Sequence, residues 1–436
     1  MQQKLTLEFF IEQAQEGQYL LFPFQMPPEV ERLELSYHYA RRAQDPTSVE
    51  RGTFTGRPEI NIVDLGLIGP DGSQVGASGS DKTEISISAV SATPGYRPVP
   101  LVPGEWKILA GAYKIASGGM AVRYELTFTF KQRRLFKGDL HTHTLASDGV
   151  LTAKELARRA LRHGLQFLAI TDHNQPVSRE ALPQVPGVTL IPGVEWTHYR
   201  GHANFLGVDR PYDGPFAANT EDEIRRRFQS ARERGALITL NHPFDECCGF
   251  QIEREGLPFD CLEIWNGPMR ESNLKAVALW QSLLEAGQKI PACGGSDYHR
   301  DTPFIFLGGP TTCVYALSGS PGDILSALKE GRSYISFAPN GPWLELQAGE
   351  VILGGSVSWD ETRELQIRAG GLEAGDVVRV VTGAGSEVIL QAPAPGDLQT
   401  GYLMPAPGFA RVEVLRAFLP GLPMLPALIS NPIYFE

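Results

Sequence analysis

The stretch Phe136-Lys137-Gly138-Asp139-Leu140-His141-Thr142-His143-Thr144, with Ser147-Asp148-Gly149 just behind it, decides how the rest of the chain is read. Two histidines stand two residues apart after a short apolar run. In a strand alternate side chains share a face, so both imidazoles would point the same way. Asp148, next to a glycine, reads as a loop residue at a strand end. Further on, Phe167-Leu168-Ala169-Ile170 is a second apolar strand, ending in Thr171-Asp172-His173-Asn174. Neutral imidazoles and carboxylates gathered at strand ends are what a divalent metal needs.

Outward from this stretch the same theme repeats. Thr189 to Ile191 leads to Gly193-Val194-Glu195, and Ala203 to Val208 is preceded by Gly201-His202. Ala236 to Leu240 ends in Asn241-His242-Pro243, and Cys261 to Trp265 ends in Asn266-Gly267. Lys289 to Cys293 ends in Gly294-Gly295-Ser296-Asp297-Tyr298-His299, and Thr312 to Ala316 is a further strand. Between them lie helical segments. Thr152 and Glu155 form a capping box, Leu156, Ala160 and Leu161 give one apolar face, and Gly164 stops the helix. Glu221 to Arg234, Ser272 to Ala286 and Asp323 to Glu330 are also predicted helices. Alternation of this kind over residues 135–338 predicts a barrel-like α/β domain, with polar residues at strand C-terminal ends forming its site.

On both sides the helices stop. Residues 1–134 read as β strands at Tyr19 to Pro23, Val30 to Tyr39, Asn61 to Ile68, Glu84 to Val90, Gly104 to Tyr113 and Met120 to Phe130. Turn signals such as Gly69-Pro70-Asp71-Gly72 separate them, which predicts an N-terminal sandwich or jelly roll. Residues 339–436 show the same habit, with strands at Leu344 to Leu346, Leu365 to Ala369, Val377 to Thr382, Glu387 to Leu390 and Ala410 to Leu415. They predict a second, smaller β-sandwich.

Composition fits this division. The chain has 436 residues, 42% of them apolar, with 46 glycines and 33 prolines, so it can bury several cores and make many turns. Its formal net charge of −11 argues against non-specific polyanion binding. The start, Met1-Gln2-Gln3-Lys4-Leu5-Thr6, lacks the basic and apolar regions of a signal peptide, and no run reaches the roughly 18 apolar residues of a membrane span. Five cysteines without framework spacing read as reduced thiols, and the expectation is a cytoplasmic protein with no membrane partner. Cys247-Cys248, near His242, reads as an inert or redox-sensitive pair rather than a soft metal site. His38 reads as a half-buried strand residue and His163 as a helix-end residue.

Six histidines and three carboxylates then stand at strand ends in the middle domain: His141, His143, Asp148, His173, Glu195, His202, His242, Asp297 and His299. All of the nine histidines except His38 lie between 141 and 299, and only His163 and His198 of these lack such a slot. His202 is preferred to the neighbouring His198, because Gly201 and the following strand place it at a strand start facing inward. Such repetition predicts a metal site.

The ordered elements H-T-H-T with S-D-G, T-D-H, G-V-E, N-H-P and S-D-Y-H resemble those of the polymerase-and-histidinol-phosphatase (PHP) superfamily, over roughly residues 135–338. Gly201-His202 with Asn204, Ile264-Trp265-Asn266-Gly267 and the flanking β domains resemble more narrowly the CehA/McbA-type metallohydrolases. The resemblance implies a distorted (β/α)7 barrel with a multinuclear centre of two to three divalent ions (Mn, Zn or Fe), flanked by the two all-β sandwich domains. It implies one metal on His141, His143, Glu195 and Asp297, a second on Glu195, His202 and His242, and a third on Asp148, His173 and His299. Glu195 would bridge, and Glu195, Asp297 and His202 would carry the catalytic burden. A hydroxide between two divalent ions is a strong nucleophile near neutral pH, and the ions also neutralise charge on a phosphoryl or acyl oxygen. Asp172 and Asn174 are expected to orient imidazoles, and Arg200 and Arg300 to contact a substrate phosphate. The leading expectation is a hydrolase of small phosphate esters, such as a nucleotide. The alternatives are a carboxyl or carbamate ester hydrolase with the same centre, and a metal-containing binding module of low turnover.

Overall fold

The computed structural model describes residues 1–42 and 59–436, and by backbone alone the strands Thr47–Ser48 and Thr55–Gly56. It divides into two compact units, Met1–Gln132 and Arg133–Glu436.

In the first unit, two four-stranded antiparallel sheets share one core. One runs in the order Gln2–Ile11, Met120–Phe130, Val30–Tyr39, Glu84–Ser88, and the other in the order Tyr19–Met26, Gly104–Lys114, Ile62–Ile68, Gln74–Ser78. Alternation decides the inner face. Val122, Tyr124, Leu126 and Phe128 point in with Leu33, Leu35 and Tyr37, against Leu65, Leu67, Trp106 and Ile108 of the other sheet. Burying each such side chain contributes about 1.5–3 kcal/mol. The strands expected here are present, and His38 is exposed on the outer face. Gln2–Ile11 is an addition: Leu5, Leu7, Phe9 and Ile11 alternate onto the core side, a period-2 pattern that the sequence carries.

The second unit is mixed α/β, rich in sheet and sparse in helix. Its main sheet runs Ala292–Gly295, Cys261–Asn266, Leu237–Leu240, Gly201–Leu206, Thr189–His198, Phe167–Ile170, Arg134–Asp139, Thr311–Ala316, Ser333–Ser336. Two parallel triplets, 134–139/167–170/189–198 and 237–240/261–266/292–295, flank the antiparallel strand Gly201–Leu206. The ladder is therefore an open path rather than a closed ring. Ala292–Gly295 meets Thr311–Ala316 through a side chain: Thr312 Oγ1 accepts from Gly294 N at 3.0 Å and donates to Gly294 O at 2.7 Å. The helix Ala153–Arg162 starts at the Thr152/Glu155 capping box, and Gly164 follows it with φ +78°. Among the described residues, no helix is long and apolar enough to cross a membrane.

Residues beyond 339 do not stand apart from this unit. Ser333–Ser336 pairs with Leu425–Ser430, and the sheet continues through Gly408–Arg416 and Val377–Thr382 to Gly385–Gln391. A second sheet holds Val351–Ile352, Trp343–Ala348, Glu364–Leu372 and Gly396–Leu403. Cys313 and Tyr334 share a core with Leu344, Ile367, Val380 and Val412. Buried Arg411 lies over the Trp280 ring, 5.0 Å from its centroid, and donates to Gln281 Oε1 at 3.0 Å. Three segments were expected from the sequence, and the second and third are one compact unit here because backbone pairing and a shared core join them.

Candidate metal centre

The strand Arg134–Asp139 ends before the first histidine pair, so His141 and His143 lie on extended backbone just past it rather than within it. Thr142 holds that segment: its N donates to Thr171 Oγ1 at 3.0 Å and its Oγ1 to Ala169 O at 2.6 Å. Both imidazoles still face one side, because alternation persists in extended chain. Fully buried Asp139 ties the first motif to the last. It accepts from His141 N at 3.2 Å, Ser296 N at 2.9 Å, Gly308 N at 2.9 Å and the Ser296 hydroxyl. Burial still pushes its carboxyl up to about 6, against the lowering effect of those bonds. Gly295 is required by close approach: a Cβ there would lie 2.4 Å from His141 Cβ and 2.9 Å from Glu263 Oε1.

Glu195, fully buried, is the hub. Its Oε1 lies 3.3 Å from His141 Nε2, 3.1 Å from His202 Nδ1 and 3.2 Å from His242 Nε2. Its Oε2 lies 2.7 Å from His173 Nδ1 and 3.6 Å from His143 Nε2. Asp297 Oδ1 is 3.0 Å from His143 Nε2 and 3.4 Å from His141 Nε2. At the outer end, Asp148 Oδ1 is 3.1 Å from His299 Nε2 and 3.7 Å from His173 Nε2. Exposure rises along the site, from 0% at Glu195 to 27% at Asp297 and 59% at Asp148. The site is thus closed at one end and open at the other. Asn174, His242 and Asp297 all have positive φ (52°, 28° and 52°), which L side chains adopt at a cost. Strained backbone is held where these motifs meet.

The donor set fits divalent cations. His143 Nδ1 is buried without a hydrogen-bond partner among the described residues, an arrangement that costs free energy unless something charged satisfies it. Ligand atoms gather within 4.8 Å of one another in four overlapping groups: His143/Asp148/His173/His299, His141/His143/Glu195, His141/His242/Asp297 and His202/His242/Cys248. Electrostatics agree. Burial would raise the Glu195 carboxyl, but His141 and hydrogen bonds from His141, His173 and His202 hold it well below the usual range. Burial disfavours a charged His141, yet Asp297, Glu195 and Glu263 hold its pKa well above the ordinary value. Burial prevails at His143, which is lowered. Without metal, then, the cluster balances its carboxylates with protons that a cation would displace.

All nine residues picked from the sequence come together, and Glu263, which the motifs did not single out, joins them. Glu263, 2% exposed, lies 3.0 Å from His141 Nδ1 and accepts from His242 N at 2.9 Å and Asn266 Nδ2 at 3.2 Å. A glutamate within an apolar strand is the one hint it gives. Asn241 Nδ2 donates to Glu195 Oε1 at 3.0 Å. Arg270 Nη2 donates to Asn266 Oδ1 at 3.3 Å and Asp245 Oδ2 at 3.0 Å, and Asn266 Nδ2 lies 3.4 Å from Asp297 Oδ2. Asp172 does not touch an imidazole as expected; it accepts from Thr144 N, Thr144 Oγ1 and Ser147 Oγ at 2.7–2.8 Å, fixing the loop of Asp148. Asn174 acts through Thr197, whose Oγ1 is 2.7 Å from His173 Nδ1. His198 turns away, with Nε2 3.0 Å from Ala218 O. Arg200 is engaged by Glu221 and the carbonyl of Gln251, whereas Arg300 is exposed with no partner among the described residues.

Removal of the Glu263 carboxylate would free the His141 ring and unseat the His242 backbone. Glu263→Ala is expected to weaken metal binding by about 10- to 100-fold, the usual effect of losing a group that orients a ligand. Metal titration with a competing chelator measures it, and unchanged affinity would rule out this role.

Known relatives match part of the chain. The 5'-3' exoribonuclease Rnm of Salmonella typhimurium is 31% identical over 148 residues, 32% of this chain and 44% of that protein. The 3',5'-nucleoside bisphosphate phosphatase of Chromobacterium violaceum is 33% identical over 109 residues, 23% of this chain and 37% of that protein. A two-domain protein from Bacteroides vulgatus, containing a predicted PHP-like metal-dependent phosphoesterase, is 18% identical with a TM-score of 0.40, over 68% of this chain and 95% of that one. No family model matches the chain. The chain spans less than half the length of the two named sequence relatives.

Proposed function

We propose that this chain is a metal-dependent hydrolase of small phosphate esters, a phosphomonoester or phosphodiester such as a nucleotide. The observation that carries the reading is the buried convergence of imidazole and carboxylate atoms on Glu195, with the unpartnered His143 Nδ1 beside it. Two to three divalent ions, of Mn, Zn or Fe, match that donor set. When bound they would supply an activated water near neutral pH and neutralise charge on a phosphoryl oxygen. His141, His143, Glu195 and Asp297 would hold one ion, Glu195, His202 and His242 a second, and Asp148, His173 and His299 a third. The two named sequence relatives, a ribonuclease and a bisphosphate phosphatase, both act on phosphate esters, which supports the same class here. We read the finer architecture of residues 135–338 as a distorted (β/α)7 barrel whose strand ladder stays open between Ala292–Gly295 and Thr311–Ala316, with β-sandwich segments before and after it in the chain.

Each residue has work suited to its place. Glu195 shares its charge between clusters from the closed end. Asp297 and His202 flank it, and Asp297 borders the opening through which a substrate would enter. Arg300 is exposed, directly follows His299, and is free to meet a phosphate; Arg200, already ion-paired, is the weaker candidate. The net charge of −11 favours a small substrate over a polymer held non-specifically. A cytoplasmic location is part of the proposal. The test is a hydrolysis screen of the metal-loaded protein against phosphomonoesters, phosphodiesters and carboxyl esters. Turnover of a phosphate ester with competitive inhibition by inorganic phosphate is expected; turnover of carboxyl esters alone would reject the proposal.

A further inference from the structure

We infer that Cys248 is a sulfur ligand beside the hub, forming with His202 and His242 a site that favours zinc over manganese. The inference rests on the reading of this region as a metal centre. Ligand atoms of these three residues lie within 4.8 Å of one another, and both histidines are buried. Cys248 Sγ lies 3.7 Å from His242 Nδ1. Zn–S of about 2.3 Å and Zn–N of about 2.0–2.1 Å at a tetrahedral angle give an S···N edge of roughly 3.6 Å, so the pair is spaced as two corners of one coordination shell.

The loop is built to hold that spacing. Asp245 N donates to His242 O at 3.0 Å and Phe250 N to Pro243 O at 3.0 Å, which closes the loop on itself. Asp245 Oδ1 accepts from Cys247 N at 2.9 Å, Cys248 N at 3.4 Å and the Cys248 thiol at 3.4 Å, which holds the thiol beside His242, while Arg270 fixes Asp245 from the other side at 3.0 Å. A Cβ on Gly249 would stand 2.7 Å from Asp245 O, so the turn after Cys248 requires glycine.

His242 uses its two nitrogens differently. Nε2 faces Glu195 at 3.2 Å and Nδ1 faces the thiol. A carboxylate on one ring nitrogen and a metal on the other is the arrangement that fixes a zinc-binding histidine. In this site Glu195 supports His242 from the Nε2 side, and Cys248 takes the direct-ligand place that Glu195 has in the second ion's set above. A thiolate with two imidazoles is a soft donor set, matched to zinc, whereas manganese prefers oxygen.

The test uses the full chain loaded with Co(II), a spectroscopic substitute for zinc. Thiolate ligation gives a sulfur-to-cobalt charge-transfer band in the near ultraviolet, which nitrogen and oxygen ligands do not. The wild type should show the band, Cys247→Ser should keep it, and Cys248→Ser and Cys248→Ala should lose it. Zinc affinity by chelator competition should fall about tenfold or more in both Cys248 variants. Absence of the band in fully loaded wild type, or its survival in either Cys248 variant, overturns the assignment. Phosphate-ester turnover without the band would remove this ligand and leave the hydrolase reading standing; the band without any turnover would do the reverse.

Discussion

In a Glu195→Gln variant, metal content is expected to fall at two clusters together, and hydrolysis by about 10³-fold or more, about 4 kcal/mol of transition-state stabilisation. The reason lies in the position of the carboxylate. It is fully buried, with four imidazoles within 3.3 Å and a fifth at 3.6 Å, and among the described residues no other acidic group touches as many. Glutamine keeps the volume and removes the charge, so packing survives while two cations lose a shared counter-charge. The freed amide would also turn N–H groups toward ring nitrogens. Elemental analysis, circular dichroism and turnover on the same preparation separate the outcomes. A folded variant with full metal content and the wild-type rate would remove Glu195 from the centre.

The second large effect is expected at the opening. Asp148→Ala removes the most exposed carboxylate of the site, which faces Nε2 of both His299 and His173, and phosphate-ester hydrolysis should slow by roughly 10²-fold or more, about 2.7 kcal/mol. Phosphoryl transfer spreads negative charge over several oxygens, which three cations can share; an ester carbonyl develops a single oxyanion and needs fewer. Carboxyl-ester turnover should therefore fall much less. Asp148 is more than half exposed, so the change should leave stability nearly untouched. If inorganic phosphate does not inhibit and the preferred reaction is unchanged in Asp148→Ala, an ester hydrolase replaces the phosphoesterase.

The same two residues illustrate what was legible. Glu195 and Asp148 stood out because each lies within two residues of a glycine near a predicted strand end, although Glu195 proves to lie inside the strand Thr189–His198. The strands that carry such residues could be found from apolar runs: Phe167–Ile170 has the predicted bounds, and Cys261–Asn266 and Thr311–Ala316 differ by one residue. Thr152 and Glu155 mark a helix start by chemistry that acts over three residues, so the sequence alone locates it. Glu263 was invisible for the opposite reason. Its partners, His141 and the His242 backbone, are distant in sequence, and period 2 says which residues share a face but not what that face meets.

Local pattern by itself determined the α/β character of the middle segment, the β character of its flanks and the set of histidines and carboxylates at strand ends. Only the tertiary structure decided the rest. It joined Leu425–Ser430 to Ser333–Ser336, set Glu263 against His141, assigned Asp172 to the Asp148 loop and brought Cys248 to His242 Nδ1. Periodicity and capping are short-range constraints written in neighbouring residues. Which strand edge pairs with which, and which side chains then meet, depends on chain crossings and shared cores that no local window contains.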